Sequence, residues 1–457
     1  MIKKDCLKDK NIAIIGAGVS GAALAVLAKK CGAKVFVSDS SEIKMEQKEL
    51  FISQGITWEE NGNTDKLLSY SEIVVSSGIS PQNEMLKIAS RLGIIITGEI
   101  DFVYPFLSGK ILAVTGSNGK TTVVSMLGYF LEKMGHNVAT CGNIGKPIAE
   151  IAENEYSFIV IELSSFQLHW SKKFHCDSAI ITNIAPDHID WHGSYENYIA
   201  SKAKLINYID KSGVLICQSD DMKILNIKDG LDCIPLSWDV KEKNITGIFL
   251  DNEERAAWLC DLKRNRLRRL FEFGNIKLLG AHNLTNLAMA LSLLELYNIA
   301  VPEKVISLYT PPQHRCSYVG EVNSITFVDD SKGTNVAATI TALTALNGTK
   351  VVILGGQGKG ESYIPLAEAV TSYTKYAVLI GSEKENIAGA LDGVGFKAYS
   401  VVNTMQEAVE VAYSKATSGD IVLLSPACTS WDMYADYKAR GKDFCEQVKK
   451  IIEREES

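Results

Sequence analysis

The chain holds no apolar stretch long enough to cross a membrane, no CxxC pair among its ten cysteines and no basic excess, its formal charge being −7 over 457 residues. The first absence leaves no candidate for a membrane-spanning helix. The second argues for reduced thiols and so for a cytoplasmic location. The third removes the basic stripe expected of nucleic-acid binding. The one mixed-basic run, 263–269, is broken by Asn265 and Leu267 and reads as an exposed strand or turn. Repeats and low-complexity segments are also missing. An apolar run over 12–28 follows N-terminal lysines as in a leader peptide. Gly16, Gly18, Ser20 and Gly21 interrupt it and no small-residue cleavage pattern closes it, so it reads as part of the fold. What is present, 46% hydrophobic and 22% charged residues, fits a globular protein, and the length predicts about three domains.

The chemistry concentrates in ILAVTGSNGKTT, 111–122. Residues 111–114 read as a short buried strand, and 123–133 as an apolar-periodic helix. Between them Gly116, Ser117, Asn118, Gly119, Lys120, Thr121 and Thr122 make a tight turn. The glycines let successive N–H groups point inward, and the helix N-terminus adds partial positive charge. Lys120 can reach outer phosphates and the Thr121 hydroxyl can ligate Mg²⁺. This is a phosphate cradle of unusual spacing, for the common P-loop has four residues between its first glycine and Gly-Lys.

Upstream, strands at 12–16, 34–38, 73–76 and 94–97 alternate with helical stretches such as 19–30 and 83–92, the pattern of an open parallel sheet. The turn from Gly16 to Gly21, containing Val19 and Ser20, matches GxGxxG, and Asp39 ends the second strand where a ribose-binding acid belongs. A nicotinamide or flavin dinucleotide, another nucleotide diphosphate, or plain helix–strand packing all satisfy that pattern. A second turn, Ser76-Ser77-Gly78, follows a strand on the same edge.

Downstream, Glu162 leaves a strand beside the cradle, placed to hold Mg²⁺ or to serve as an ordinary strand-end acid. Asp187-His188-Ile189-Asp190 follows a strand at 179–183, and its histidine fits a metal ligand, a base or a loop residue. Lys202 stands one helical turn after Tyr198, in a helix expected over 195–208, where a solvated lysine is the plain alternative. Residues 213–273 read as strands and hairpins, 281–297 as a helix, and Pro311-Pro312 as a boundary. Strands at 325–328, 350–354, 376–380 and 421–424 follow, with His314-Arg315, an Asp329–Asn335 segment, a glycine-rich turn at 355–360 and a loop from Ser425 to Asp432 at their ends. Such loops share one face of an α/β sheet.

TGSNGKTT, ELSSFQL, NIAPDHIDWHGSYENYIASK, GAHNLTN, HR, DDSKGTN, GGQGKG and SPACTSWDMY, in this order, resemble the Mur ligases of peptidoglycan synthesis over nearly the whole chain. The related folylpolyglutamate synthetases share the central cradle but differ in the later motifs. The resemblance implies an α/β protein of three domains. These are a Rossmann-like UDP-binding domain over 1–97, a P-loop ATPase-type domain with extra strands over 98–312, and a Rossmann-like domain for the amino acid and part of ATP over 313–457. It also implies ATP-driven addition of D-glutamate to UDP-linked muramoyl-L-alanine through an acyl phosphate, by a monomer acting on small molecules.

By the same resemblance Lys120 contacts the transferred phosphoryl group. Thr121 and Glu162 hold one Mg²⁺ or Mn²⁺, and His188 with a carbamylated Lys202 serves a second. Asn286, Arg315 and Asp330 join the cradle around ATP, Thr334, Lys359, Ser430 and Tyr437 hold D-glutamate, and Asn143 and His188 lie along the muramoyl substrate. For the first domain it implies uridine diphosphate among Val19, Ser20, Asp39, Ser40, Ser76, Ser77 and Gly78. Ser77 stands where relatives often carry proline, and Tyr437 where phenylalanine is familiar.

Overall fold

In the computed structural model, which describes residues 5–227, 231–240, 245–276 and 280–455, three sheets follow one another along the chain. The first contains β1 (Asn11–Ile15), β2 (Lys34–Ser38), β3 (Thr57–Glu59), β4 (Glu72–Val75) and β5 (Ile95–Gly98). Its order is β3-β2-β1-β4-β5, all parallel. Continuous apolar runs suit such a sheet because helices cover both faces, and four of the five residues of β1 and of β2 are buried. The strand order reverses at β1, so the turns after β1, β2 and β4 open onto one crevice.

The second sheet comprises β6 (Ser108–Thr115), β7 (Val138–Gly142), β8 (Glu155–Glu162), β9 (Ser178–Ile181), β10 (Val214–Gln218), β11 (Asp232–Trp238), β12 (Gly247–Asp251), β13 (Ala256–Asp261) and β14 (Arg266–Glu272). They run in the order β14-β13-β12-β11-β10-β9-β6-β8-β7. Its extension from β10 to β14 fills the span expected as strands and hairpins, within which 228–230 and 241–244 lie outside the described residues. Among the described residues, β12–β13 and β13–β14 are the antiparallel pairs of this sheet. The mixed-basic run becomes a turn and the start of β14, whose arginines guard an exposed edge.

The third sheet holds β15 (Ser317–Val322), β16 (Ile325–Asp329), β17 (Lys350–Gly355), β18 (Thr374–Ile380), β19 (Tyr399–Val401) and β20 (Ile421–Leu424). The order is β15-β16-β20-β17-β18-β19, parallel except for the β15–β16 hairpin.

Two helices beside the cradle differ from expectation in their limits. The cradle helix spans Lys120–Lys133 rather than starting at residue 123, because Gly119, in the left-handed region, ends the turn and leaves Lys120 to Thr122 in the first helical turn. The helix expected over 195–208 is α-helical over Tyr195–Ala203 and tightens to 3₁₀ over Lys204–Tyr208. Among the described residues no helix is long and apolar enough to cross a membrane.

Candidate active site

The loop after β6 is shaped by what it must avoid. A Cβ on Gly116, at φ +142°, would stand 2.0 Å from Thr182 Oγ1, and one on Gly119, at φ +83°, would stand 2.6 Å from Asn286 Oδ1. Glycine is required at both positions. The loop is pinned from the end of β9: Ser117 N–H donates to Asn183 O at 2.9 Å, and Asn118 N–H to Asn183 Oδ1 at 3.0 Å. Lys120 Nζ curls back onto Gly116 O at 2.9 Å and Ser117 O at 3.0 Å. Burial holds its ammonium below the ordinary lysine value, against the pull of Glu162 and Asp187.

Two buried groups complete the cradle. At the end of β8, Glu162 Oε1 accepts from Asn143 Nδ2 at 2.9 Å, while Oε2 has no hydrogen-bond partner among the described residues. From the helix Tyr195–Ala203, Lys202 Nζ donates to Gly116 O at 2.6 Å and lies 4.8 Å from the centre of the Tyr198 ring. The one-turn spacing of Tyr198 and Lys202 thus faces inward, and Lys202 is only 1% exposed instead of solvated. Burial, with the nearby Lys120, keeps its amine well below the ordinary lysine value.

His188 stands at φ 52°, a left-handed conformation uncommon outside glycine, and packs edge-on against Phe166 at 4.7 Å. Burial drives its imidazole down to about 3, so it is neutral at pH 7. Its neighbour Asp187 reaches the third sheet, accepting from Lys359 Nζ at 2.7 Å and from Asn335 Nδ2 at 3.2 Å. Burial raises the Asp187 carboxyl, but Lys359 and His188 outweigh it and hold the group well below the usual carboxylate range.

A cavity of about 340 Å³ opens beside the cradle, bounded by Gly119, Asn286, Arg315, Asp330 and Lys332 and by His282 and Gln218. Arg315 sits between His314 and Cys316, both at positive φ. His314 Nδ1 lies 2.6 Å from Asp329 Oδ2. Asp330 accepts from Ser425 Oγ at 2.7 Å and from Cys316 N–H at 3.2 Å, and burial lifts it to about 7. Burial and Arg315 bring Lys332 down to about 7.

Comparison with known proteins gives the family. Residues 114–294 match the Mur ligase middle domain, 314–428 the Mur ligase glutamate ligase domain and 11–85 the MurD N-terminal domain. The UDP-N-acetylmuramoylalanine–D-glutamate ligase of Caldicellulosiruptor bescii is 34% identical over 468 residues, covering 98% of this chain and 99% of that protein. The one from Bacteroides fragilis is 35% identical over 455 residues, covering 97% and 100%. The chain belongs to the Mur ligase family. It is therefore an ATP-dependent ligase. Among solved structures, UDP-N-acetylmuramate-alanine ligase MurC of Thermotoga maritima superposes with a TM-score of 0.59 at 17% identity over 96% of this chain and 99% of that one. MurF ligase of the same organism, in complex with ADP, gives 0.59 at 14% identity over 92% and 95%. These two likenesses establish the three-domain fold.

In this Mur ligase the cradle, Glu162, His188, Lys202 and Asn143 gather on the second sheet, and Asn286, Arg315 and Asp330 line the adjoining cavity. Thr121 is buried in the first turn of the cradle helix. Ser430 and Lys359 are buried and Thr334 half-buried in loops of the third sheet. Tyr437 faces the cavity side: Lys332 Nζ lies 3.9 Å from its ring centre, and His314 packs edge-on at 6.0 Å. In the first domain Asp39 closes its own turns, Oδ2 accepting from Ala17 N–H at 2.6 Å and Oδ1 from Ser41 N–H at 2.9 Å. Val19 and Ser40 are exposed, Ser20 is half-buried, and Ser76 to Gly78 form the turn after β4.

Several participants were not singled out from sequence. Asp187 and Asn335 bridge two domains; each lay inside a noted motif, but its partner is far along the chain. Buried Arg440 donates to Ser331 O, Cys428 O and Thr429 O, holding the Asp330 and Ser430 loops together. Nothing local in its helix marks it.

Proposed function

We propose that this Mur ligase adds D-glutamate to UDP-N-acetylmuramoyl-L-alanine, the reaction named for its relatives. One observation carries the chemistry: a buried lysine amine, Lys202, and an unpartnered carboxylate oxygen, Glu162 Oε2, converge with Lys120 on the glycine cradle. A carboxylate and an amine do not condense spontaneously in water. Phosphorylating the L-alanyl carboxylate with the γ-phosphoryl group of ATP supplies a leaving group, which the amine of D-glutamate displaces as phosphate. Positioning and neutralisation of charge are what the protein adds.

In this scheme the N–H groups of Gly119 to Thr122 and the Lys120 ammonium bind the phosphates, in a loop whose Ser117 and Asn118 N–H groups are held by Asn183. Asn286, Arg315 and Asp330 bind the remainder of the nucleotide. The site fits divalent cations: the free Glu162 Oε2 and the Thr121 hydroxyl would hold one Mg²⁺ or Mn²⁺, and His188, kept neutral, would serve a second with Lys202. Bound cations supply charge neutralisation on phosphoryl oxygens. Among the described residues no three His, Cys, Asp or Glu gather for a metal, in keeping with a site completed by a carbamate and by phosphates. A lysine amine in its deprotonated form can add CO₂, releasing a proton, and the resulting carbamate makes Lys202 an anionic oxygen ligand.

Thr334, Lys359, Ser430 and Tyr437 are proposed for D-glutamate, with Lys359 meeting a carboxylate. Asn143 and His188 are proposed along the muramoyl group, and Val19, Ser20, Asp39, Ser40, Ser76, Ser77 and Gly78 around uridine diphosphate. The domains assigned are 1–97, 98–312 and 313–457. One chain supplies every assigned group, so the proposal is for a monomer, acting in the cytoplasm. The test is phosphate release from ATP, expected only with UDP-N-acetylmuramoyl-L-alanine and D-glutamate together. Equal turnover with L-alanine or a diamino acid would place the chain in another branch of the family.

A further inference from the structure

The turn after β4 is held largely from outside its own sheet. Ser76 N–H donates to Ile15 O at 3.1 Å, but the next three residues are anchored by the segment 99–191. Ser77 N–H, a donor that proline would lack, reaches Glu99 Oε2 at 2.8 Å, and Glu99 Oε1 accepts from Gln167 Nε2 at 2.5 Å. Trp191 Nε1–H donates to Gly78 O at 3.1 Å, and Trp170 Nε1–H to Ile79 O at 3.0 Å. Two indoles thus grip consecutive carbonyls of one turn.

Both indoles are stiff donors. Trp191 packs on Phe166 at 4.6 Å and on His169 at 5.3 Å, and Trp170 packs edge-on to the same His169 at 5.2 Å. Trp191 is only half-buried, so its N–H could be satisfied by water, yet it is spent on a backbone carbonyl. Gly78, at φ +91°, would leave the turn mobile without such ties, and ordering it would then count against binding.

We propose that Trp170 and Trp191 are positioning residues for the UDP-linked substrate, holding the 78–79 carbonyls so that the Ser76–Gly78 turn is already in its binding conformation. This rests on the assignment of that turn to uridine diphosphate. Phe166 also packs on His188, so the grip on the turn and the phosphate chemistry share one aromatic platform. The two indoles act on affinity for the UDP-linked substrate and leave the nucleotide triphosphate and amino-acid sites alone.

The test is the set of KM values for UDP-N-acetylmuramoyl-L-alanine, ATP and D-glutamate in the wild type, Trp191→Phe and Trp170→Phe. Phenylalanine keeps a ring and removes the N–H. Each variant is expected to raise KM for the UDP-linked substrate about fivefold, the equivalent of one hydrogen bond, with the other two KM values and kcat nearly unchanged. Calorimetry with UDP alone is expected to show the same weakening. An unchanged KM for the UDP-linked substrate in Trp191→Phe, or an equal rise in all three KM values, would overturn the inference. Should Trp170→Phe fail to fold, Trp191→Phe decides alone. A wild type that does not use the UDP-linked substrate overturns the functional reading itself, an outcome separate from failure of the variants.

Discussion

Lys202 Nζ donates to Gly116 O at 2.6 Å, linking a helix in the 190s to the phosphate cradle 86 residues earlier. The amine is buried and held well below its ordinary value by that burial. Replacing it by alanine removes both the contact and any carbamate. Lys202→Ala is expected to lower kcat at least about a hundredfold, as loss of a preorganised charge-stabilising group does. Short carboxylates such as formate should restore part of the rate. Normal turnover without them would rule out the carbamate.

The cradle tolerates no Cβ at its helix entry. Gly119→Ala forces a left-handed alanine, at a cost of about 1–3 kcal/mol, and pushes its methyl to 2.6 Å from Asn286 Oδ1. Nucleotide affinity is expected to fall at least about tenfold, equivalent to about 1.4 kcal/mol. Titration with ADP by calorimetry measures it, and unaltered affinity would argue against the cradle as the phosphate site.

The Asp187–Lys359 pair bridges two domains at 2.7 Å, both partners being less than 10% exposed. Lys359→Met leaves a buried carboxylate without its cation and is expected to destabilise by about 3–5 kcal/mol, with Asp187→Asn/Lys359→Met recovering part of the loss. The folded Asp187 carboxyl lies below its ordinary value of 3.8. Its contribution is therefore full above about pH 4 and is lost as pH falls toward the lower folded value. Urea midpoints of wild type and Asp187→Asn should converge below pH 4; a constant gap down to pH 2 would show that ionisation is not what stabilises the pair.

Arg440 supplies donors to three carbonyls in two loops. Arg440→Met leaves the Ser331 and Cys428 carbonyls buried without a donor, at a cost of about 1–3 kcal/mol each, while Thr429 O keeps the Gln357 N–H. The loosened loop carries Ser430, so KM for D-glutamate should rise more than KM for ATP. Steady-state kinetics on the soluble fraction, alongside a melting curve, checks both.

Much of this architecture could be read locally. The β6 strand, the glycine turn and the helix after it declare themselves through apolar period and glycine spacing, and β20 falls on the expected residues 421–424. Helix limits slipped where a cap decided them: Asn83 Oδ1 accepts from Met85 and Leu86 N–H, so the helix expected from residue 83 begins at Glu84. The parallel addition of β10, β11 and β12 to the second sheet was not legible, since a strand's pattern does not name its neighbour.

The sequence by itself determined the succession of strands and helices and the motif order that resembles the Mur ligases, because periodicity and spacing are local properties of a chain. Only the tertiary structure decided the chemical state of the groups. It made Lys202 a buried amine, left Glu162 Oε2 without a partner, joined Asp187 to Lys359 across 172 residues and hung the Ser77–Ile79 turn from two tryptophans. The reason is physical: desolvation and Coulomb interaction depend on distance in space, and the groups that set them here lie far apart along the chain.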